Sequence, residues 1–233
     1  MKRHQYQLLT CLLIVLSILI LPDLTRAQST SFIPTGLGFE IGAGYNQLFW
    51  RAYSPSLDKT TTENRTAFSI MPSFRINYKF NVYSNISLYT FLGFNEFGGY
   101  SKLHKQTVIL DANALYKDQI TFKTFDLGFI GLYKFGDVSI GGGFKLNRHL
   151  QIRNRSYYEN NPHTPNGWST DDISYFFKDW SADSGLRIEY STPLRMILGA
   201  ESWFGITNLG TSKYATDFHI HENHFRLLIG YRF

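Results

Sequence analysis

The sequence predicts an all-β chain: an eight-stranded antiparallel transmembrane β-barrel of the up-and-down type, preceded by a cleavable signal peptide. Three observations lead there. Apolar and polar residues alternate with period two in eight separate segments. The joins between those segments alternate between short and long. A single apolar run stands near the N-terminus, and no later stretch is long and apolar enough for a spanning helix.

That run extends from Leu8 to Leu21, after a basic start of Lys2, Arg3 and His4 and before Pro22 and the small-residue junction Thr25-Arg26-Ala27. It is shorter than the roughly 20 apolar residues a membrane helix needs, and it has the layout of an export signal. Cleavage is expected after Ala27, so residues 1–27 are a signal peptide and residues 28–233 the barrel domain. Cys11 is the only cysteine and sits inside the run rather than at its end, where a lipid acceptor would lie. The exported part therefore has neither disulfides nor a thiol nucleophile. Without Lys2, Arg3, Arg26 and Asp23, the 23 cations and 18 anions become 20 and 17, a dispersed balance of +3. That excludes nucleic acid as a partner. The aromatic share of 17%, with 15 Tyr, 20 Phe and 19 Gly, suits a barrel with aromatic girdles and crowded strands.

The first strand reads GLGFEIGAGYN from Gly36 to Asn46, with Leu37, Phe39, Ile41, Ala43 and Tyr45 on one face and glycines, Glu40 and Asn46 on the other. In the second, Phe68, Ile70, Phe74, Ile76 and Tyr78 alternate with Ser69, Ser73, Arg75, Asn77 and Lys79. Pro72 cannot donate to a ladder and marks a bulge there. The third, Ile86 to Phe94, has poorer parity, since Tyr89 and Phe91 oppose Leu88 and Leu92. The fourth places Phe125, Leu127, Phe129, Tyr133 and Phe135 against Thr124, Asp126, Gly128 and Lys134. Gly136-Asp137 turns it into the fifth, with Val138, Ile140, Phe144 and Leu146. The sixth sets Trp180, Ala182, Leu186, Ile188 and Tyr190 against Asp183, Gly185, Arg187 and Glu189. Thr192-Pro193 leads to the seventh, Met196, Leu198, Ala200 and Phe204. The eighth ends Phe225, Leu227, Ile229, Tyr231 and Phe233 against His224, Arg226, Gly230 and Arg232.

Joins near Asn81 to Asn85, Gly136-Asp137 and Ser191 to Pro193 are short. Those near Arg51 to Arg65, Tyr100 to Ile120, Arg148 to Asp172 and Asn208 to His219 are long and polar. This asymmetry predicts a Gram-negative outer-membrane barrel with a periplasmic N-terminus and long extracellular loops. Tyr78, Tyr133, Phe135, Tyr190, Tyr231 and Phe233 then fall in a periplasmic girdle, and Tyr45, Phe68, Phe94 and Trp180 in an outer one. A soluble β-sandwich or lipocalin-like barrel is the competing reading, in which the apolar face would be buried and the charged one exposed.

The lumen of an eight-stranded barrel is just wide enough for side chains. Its expected charges are Glu40, Arg75, Asp126, Asp183, Arg187, Glu189, Glu201 and Arg226, of both signs, so they should pair into a plug. The alternative is a narrow gated diffusion pore in which the pairs exchange partners. His219, His221 and His224, with Asp217 and Glu222 nearby, are the sharpest metal candidates. On a strand His224 faces away from the other two, so the three imidazoles cannot converge on zinc. An acyl-transfer site needs Ser or Asp beside His. Such residues occur but no motif aligns them, which leaves a lipid-modifying rim enzyme as the lesser alternative. No catalytic residue, cofactor or metal is expected. Asn64-Arg65-Thr66 and Asn154-Arg155-Ser156 match the glycosylation pattern by chance. The third long loop, with Tyr157, Tyr158 and Trp168, is a candidate partner or ligand surface.

The terminal strand HFRLLIGYRF is similar to the C-terminal signal read by the outer-membrane barrel-assembly machinery, its apolar residues being Phe225, Leu227, Ile229, Tyr231 and Phe233. LGAESWFGITNLG, from Leu198 to Gly210, resembles the seventh strand and exit loop of the PorT-like outer-membrane β-barrel family. The typical Gly-Leu-Thr-Asn there reads Gly205-Ile206-Thr207-Asn208 here. GLGFEIGAGYN and the Ala27-Gln28 junction also fit. The resemblance implies an integral outer-membrane barrel without catalytic residues, in a family whose named member is implicated in a gliding-associated secretion system. The expected role is structural or partner-binding, with outer-membrane lipid, lipopolysaccharide and envelope or secretion proteins as partners.

Overall fold

The computed structural model describes residues 35–54, 59–68, 73–100, 104–105, 115–159, 167–211 and 217–233. The expected signal peptide and Pro72 lie outside them. The strands are β1 (Gly36–Ser54), β2 (Lys59–Phe68), β3 (Ser73–Asn81), β4 (Ile86–Tyr100), β5 (His104–Lys105), β6 (Leu115–Phe135), β7 (Val138–Glu159), β8 (Gly167–Asp172), β9 (Trp180–Ser191), β10 (Met196–Gly205) and β11 (Asp217–Arg232). Eight of them close a ring in the order β1-β3-β4-β6-β7-β9-β10-β11. β11 pairs back onto β1 from Gly38↔Arg232 to Tyr53↔Asp217, so the ring has no free edge. Every pairing is antiparallel, as expected. β2 continues the line of β3 along β1, β8 continues that of β9 along β7, and β5 adds one short rung beside β6.

Closure sorts the side chains by parity. On the outside Ile76 is 63% exposed and Leu227 61%, while on the inside Glu40 is 1% exposed and Asp126 wholly buried. Water selects the reverse arrangement, whereas hydrocarbon selects this one. The soluble reading is therefore overturned, and the chain is an integral membrane β-barrel. The outward residues of β1 run from Leu37 through Phe49. At about 3.3 Å per residue and a tilt of about 40°, that run rises roughly 30 Å, the height of a bilayer core.

The tight turns follow from local chemistry. Gly136 takes φ 62° between β6 and β7, where a side chain would be strained. Between β9 and β10, Thr192 accepts the Met196 N–H on Oγ1 at 3.1 Å and donates its own N–H to Met196 O at 2.9 Å.

Two expectations need correcting. Much of what reads as long loop is strand: β1 reaches Ser54, β6 begins at Leu115 and β7 runs to Glu159. Arg148, Arg153 and Arg155 face outward on this extension, above the lipid, so its outer face carries no apolar alternation. Thr124 pairs with His149 but Lys123 with Gln151, so Leu150 is a bulge residue that reverses the parity and turns Ile152 inward. The second correction is the ambiguous parity of the third predicted strand. Tyr89 and Phe91 face the lumen, because both faces of β4 are partly apolar and the interior is not purely polar.

Leu227 lies near the middle of the lipid-facing band. Leu227→Arg is expected to lower stability by about 2–4 kcal/mol, measured by urea unfolding in lipid vesicles.

Candidate functional site

The lumen is built in storeys, each assembled from inward residues of several strands. In the lowest, Arg187 of β9 donates to Glu40 of β1 at 2.6 Å, to Glu201 of β10 at 2.6 Å and, through Nε, to Glu189 at 3.0 Å. Tyr89 donates its hydroxyl to Glu40 at 2.8 Å and lies beneath the Arg187 guanidinium at 4.3 Å. Glu189 also pairs with Lys79 and, at 3.6 Å, with Arg232. Arg75 grips both oxygens of Glu201 at 2.7 and 2.8 Å and stacks over Phe91 at 4.2 Å. Trp203 completes Glu201 with an indole N–H bond of 2.7 Å.

Desolvating ions is expensive, and only close pairing with hydrogen bonds offsets it. Arg187 meets that condition because three strands deliver carboxylates to one guanidinium. Missing side chains make the room. A Cβ on Gly185 would stand 2.3 Å from the Trp203 ring, and one on Gly128 2.3 Å from Phe91. The glycines of the polar face are thus the negative image of the large aromatics.

The next storey holds Lys145 against Asp183 at 2.8 Å and Arg226 near Asp126 at 4.0 Å. Above it, Glu222 and His224 face inward from β11, with Ser181 and Asn147 beside them. An apolar plug closes the upper lumen: Leu48, Phe97, Ile120, Phe122, Ile152, Phe177, Leu209 and Ile220 are all buried together. Phe97 and Phe122 stack at 4.7 Å, and Phe177 meets Phe122 edge-on at 5.0 Å. Phe177 and Leu209 come from the connecting segments, which fold over the mouth through the Phe177↔Gly210 bridge.

All eight charges predicted for the lumen stand inside it. The predicted set of lumen charges left out Lys145 and also Lys79 and Arg232, although these two stand on the polar faces of the second and eighth predicted strands, and it assigned none of Tyr89, Phe91 and Trp203 to the lumen. Parity alone locates the cations: Lys79 follows Asn77 by two, and Arg232 follows Gly230 by two. Among the buried charges of the described residues, Arg65, Arg75, Lys79, Lys145, Arg187, Arg226 and Arg232 face Glu40, Asp118, Asp126, Asp183, Glu189, Glu201 and Glu222. The two signs are equal in number there, although Glu222 has His224 rather than a Lys or Arg beside it.

The histidines separate as their spacing implies: His219 and His221 turn outward and His224 inward. His224 instead meets Glu222 at 3.3 Å and Asp183 at 3.9 Å, a convergence the sequence does not reveal. Ser181 Oγ lies 3.2 Å from His149 Nε2, but it is buried and donates to Glu222. Tyr157 and Trp168, expected on a loop, pair across β7 and β8 with rings 5.2 Å apart and Arg155 over Trp168 at 4.4 Å. In the Gly205-Ile206-Thr207-Asn208 stretch, Thr207 Oγ1 accepts the Ala182 N–H at 3.0 Å. Asn208 Oδ1 accepts from Gly210 at 3.1 Å and Ile220 at 2.8 Å, which seats Leu209 in the plug.

No protein-family model matches the chain, and no curated protein matches it. Among solved structures it is similar to Ail, the attachment invasion locus protein of Yersinia pestis, at 14% identity over 85% of this chain and 99% of that one, TM-score 0.40. It is also similar to Neisserial surface protein A, at 14% identity over 84% and 97%, TM-score 0.39. The outer membrane protease OmpT from Escherichia coli is similar at 12% identity over 88% and 99%, TM-score 0.44. At that distance these are likenesses of barrel shape and say nothing about role. The chain is an integral outer-membrane β-barrel on its own geometry, a closed ring with lipid-facing apolar residues outside.

Arg187→Ala leaves three buried carboxylates without their shared cation. It is expected to destabilise the barrel by about 3–5 kcal/mol in urea unfolding. Adding Glu40→Gln should make that loss smaller than the sum of the single changes.

Proposed function

We propose that this chain is a closed outer-membrane barrel that acts through its outer surface, as a structural or partner-binding part of the envelope, and neither catalyses a reaction nor conducts. The observation that carries this is the filled lumen: ion pairs below, Asp183, Glu222 and His224 above them, and the apolar plug on top. Glu40, Arg75, Asp126, Asp183, Arg187, Glu189, Glu201 and Arg226 then serve as a plug, and function is left to what stands outside. The long β6–β7 extension, with Tyr157 on β7 and Trp168 on the adjoining β8, is the surface offered to a partner. The resemblance to the PorT-like family makes a secretion-system accessory the specific form of this reading.

Export by residues 1–27 and a periplasmic N-terminus fit the short turns at the end of the barrel that holds Gly36 and Phe233. Phe225, Leu227, Ile229 and Phe233 face outward, where assembly machinery can read a terminal strand. Outer-leaflet lipopolysaccharide would meet the barrel at the level of Trp180, over which Arg148 sits at 5.6 Å.

One observation favours the gated pore as a second reading. The Arg226 guanidinium makes no hydrogen bond in its buried position, so its pairing with Asp126 at 4.0 Å is loose enough to exchange. Planar-bilayer recording separates the two. The closed reading expects no single-channel steps in the native barrel, nor in the Phe97→Ala and Phe122→Ala variant, because the ion pairs beneath the plug still fill the lumen. Discrete steps in the native barrel, altered by Arg226→Ala, would establish the pore. Affinity purification of the tagged barrel from native membranes in mild detergent tests the partner. An envelope or secretion protein that co-purifies and is lost on Trp168→Ala supports it, and a lone barrel removes it.

A further inference from the structure

We propose that Asp183, Glu222 and His224 bind one first-row divalent cation, with Zn²⁺ as its probe, beneath the apolar plug. The proposal stands apart from the partner-binding role, since a closed barrel needs no ion to be closed. The three side chains are buried, and one ligand atom from each lies within 4.8 Å of the others. His224 Nε2 is 3.3 Å from Glu222 Oε2 and 3.9 Å from Asp183 Oδ2. Ligands about 2.1 Å from a tetrahedral ion stand roughly 3.4 Å from one another, so of the three pairs His224–Glu222 is already at spacing, His224–Asp183 needs a small contraction, and Asp183–Glu222 lies within 4.8 Å.

The imidazole is oriented for a metal. Its Nδ1–H donates to Asn46 Oδ1 at 2.9 Å, which leaves the Nε2 lone pair aimed at two carboxylates. A lone pair facing anions is repulsive unless a proton or a cation stands between them. The carboxylates are held in the same fashion. Glu222 Oε1 accepts from Asn147 at 3.2 Å and Ser181 at 3.3 Å, while Oε2 has no hydrogen-bond partner. Asp183 Oδ2 accepts from Asn147 at 3.0 Å and pairs with Lys145, while Oδ1 has no partner. Lys145 thus serves Asp183 Oδ2, the oxygen that faces His224, and Oδ1 is the oxygen left for an ion once the carboxylate turns. Among the described residues, no Lys or Arg stands within 4.0 Å of Glu222.

The backbone makes the approach possible. Asp183 and Glu222 sit on β9 and β11 with β10 between them, at the level of Gly205. A Cβ on Gly205 would stand 2.9 Å from the Glu222 nitrogen and 3.0 Å from its Cγ. Phe97, edge-on to His224 at 4.6 Å, keeps the place dry, which strengthens ion binding and slows exchange. The donor set of one imidazole and two carboxylates suits Zn²⁺ and its neighbours rather than Ca²⁺ or Mg²⁺.

Because the plug covers the site, the ion must be supplied during folding. The full barrel is refolded into detergent with Zn²⁺, desalted, and its metal measured by plasma mass spectrometry, with heat-modifiable gel mobility reporting the fold. The expected result is about one Zn²⁺ per barrel, falling to background in His224→Gln and in Glu222→Gln. Asn46→Ala should weaken binding about 10-fold, as loss of an orienting partner does. Co²⁺ in place of Zn²⁺ should give ligand-field absorption bands that vanish in His224→Gln. The surface variants His219→Ala and His221→Ala should keep the full load. A metal-free native barrel, or an ion retained by folded His224→Gln, would overturn the proposal and assign a proton to Nε2. An ion lost with His219→Ala or His221→Ala would also overturn it, because the metal would then be a surface one.

Discussion

Three glutamates from β1, β9 and β10 converge on the single guanidinium of Arg187, inside a ring whose interior side chains fill. Almost every other feature of the barrel follows from the need to pair charge there. Arg75, Lys79 and Arg232 neutralise what Arg187 shares, and Tyr89 and Trp203 occupy the remaining acceptor positions. The strands cannot slip, because a shift of one residue would carry these ions into hydrocarbon. The pairing therefore specifies the register as well as filling the lumen, while the lipid outside supplies the complementary demand for apolar residues.

Shape and charge are matched by the same device. Gly185 and Gly128 are hollows for Trp203 and Phe91, and Gly205 is the hollow that lets Asp183 and Glu222 approach across β10. Higher up the lumen changes from ionic to apolar, and the connecting segments supply Phe177 and Leu209 to finish it. A barrel made this way fills its interior with paired charge below and packed rings above.

The fold was legible because lipid imposes strict alternation on one face of every spanning strand. Leu37, Phe39 and Ile41, or Phe225, Leu227 and Ile229, read without ambiguity. The extension above the membrane was not legible, since Arg153 and Arg155 on a water-facing strand look like loop residues and the Leu150 bulge breaks the period. Tyr89 and Phe91 were obscured because aromatic residues suit both lipid and a packed lumen. The grouping of Asp183 with Glu222 and His224 depends on ring closure and on the absence of a side chain at Gly205. The spacing of residues along one strand carries neither. The plug likewise gathers residues from most of the barrel wall, and only the folded ring shows that they meet.

Hydrogen exchange at the Arg187 guanidinium, followed by NMR in a ¹⁵N-arginine-labelled barrel in micelles, tests the sealed, paired lumen most directly. The account predicts that the Arg187 Nε–H exchanges orders of magnitude more slowly than that of exposed Arg153. Equal exchange at the two sites would mean that water reaches the lowest storey of the lumen, and it would contradict the claim that paired side chains close this barrel.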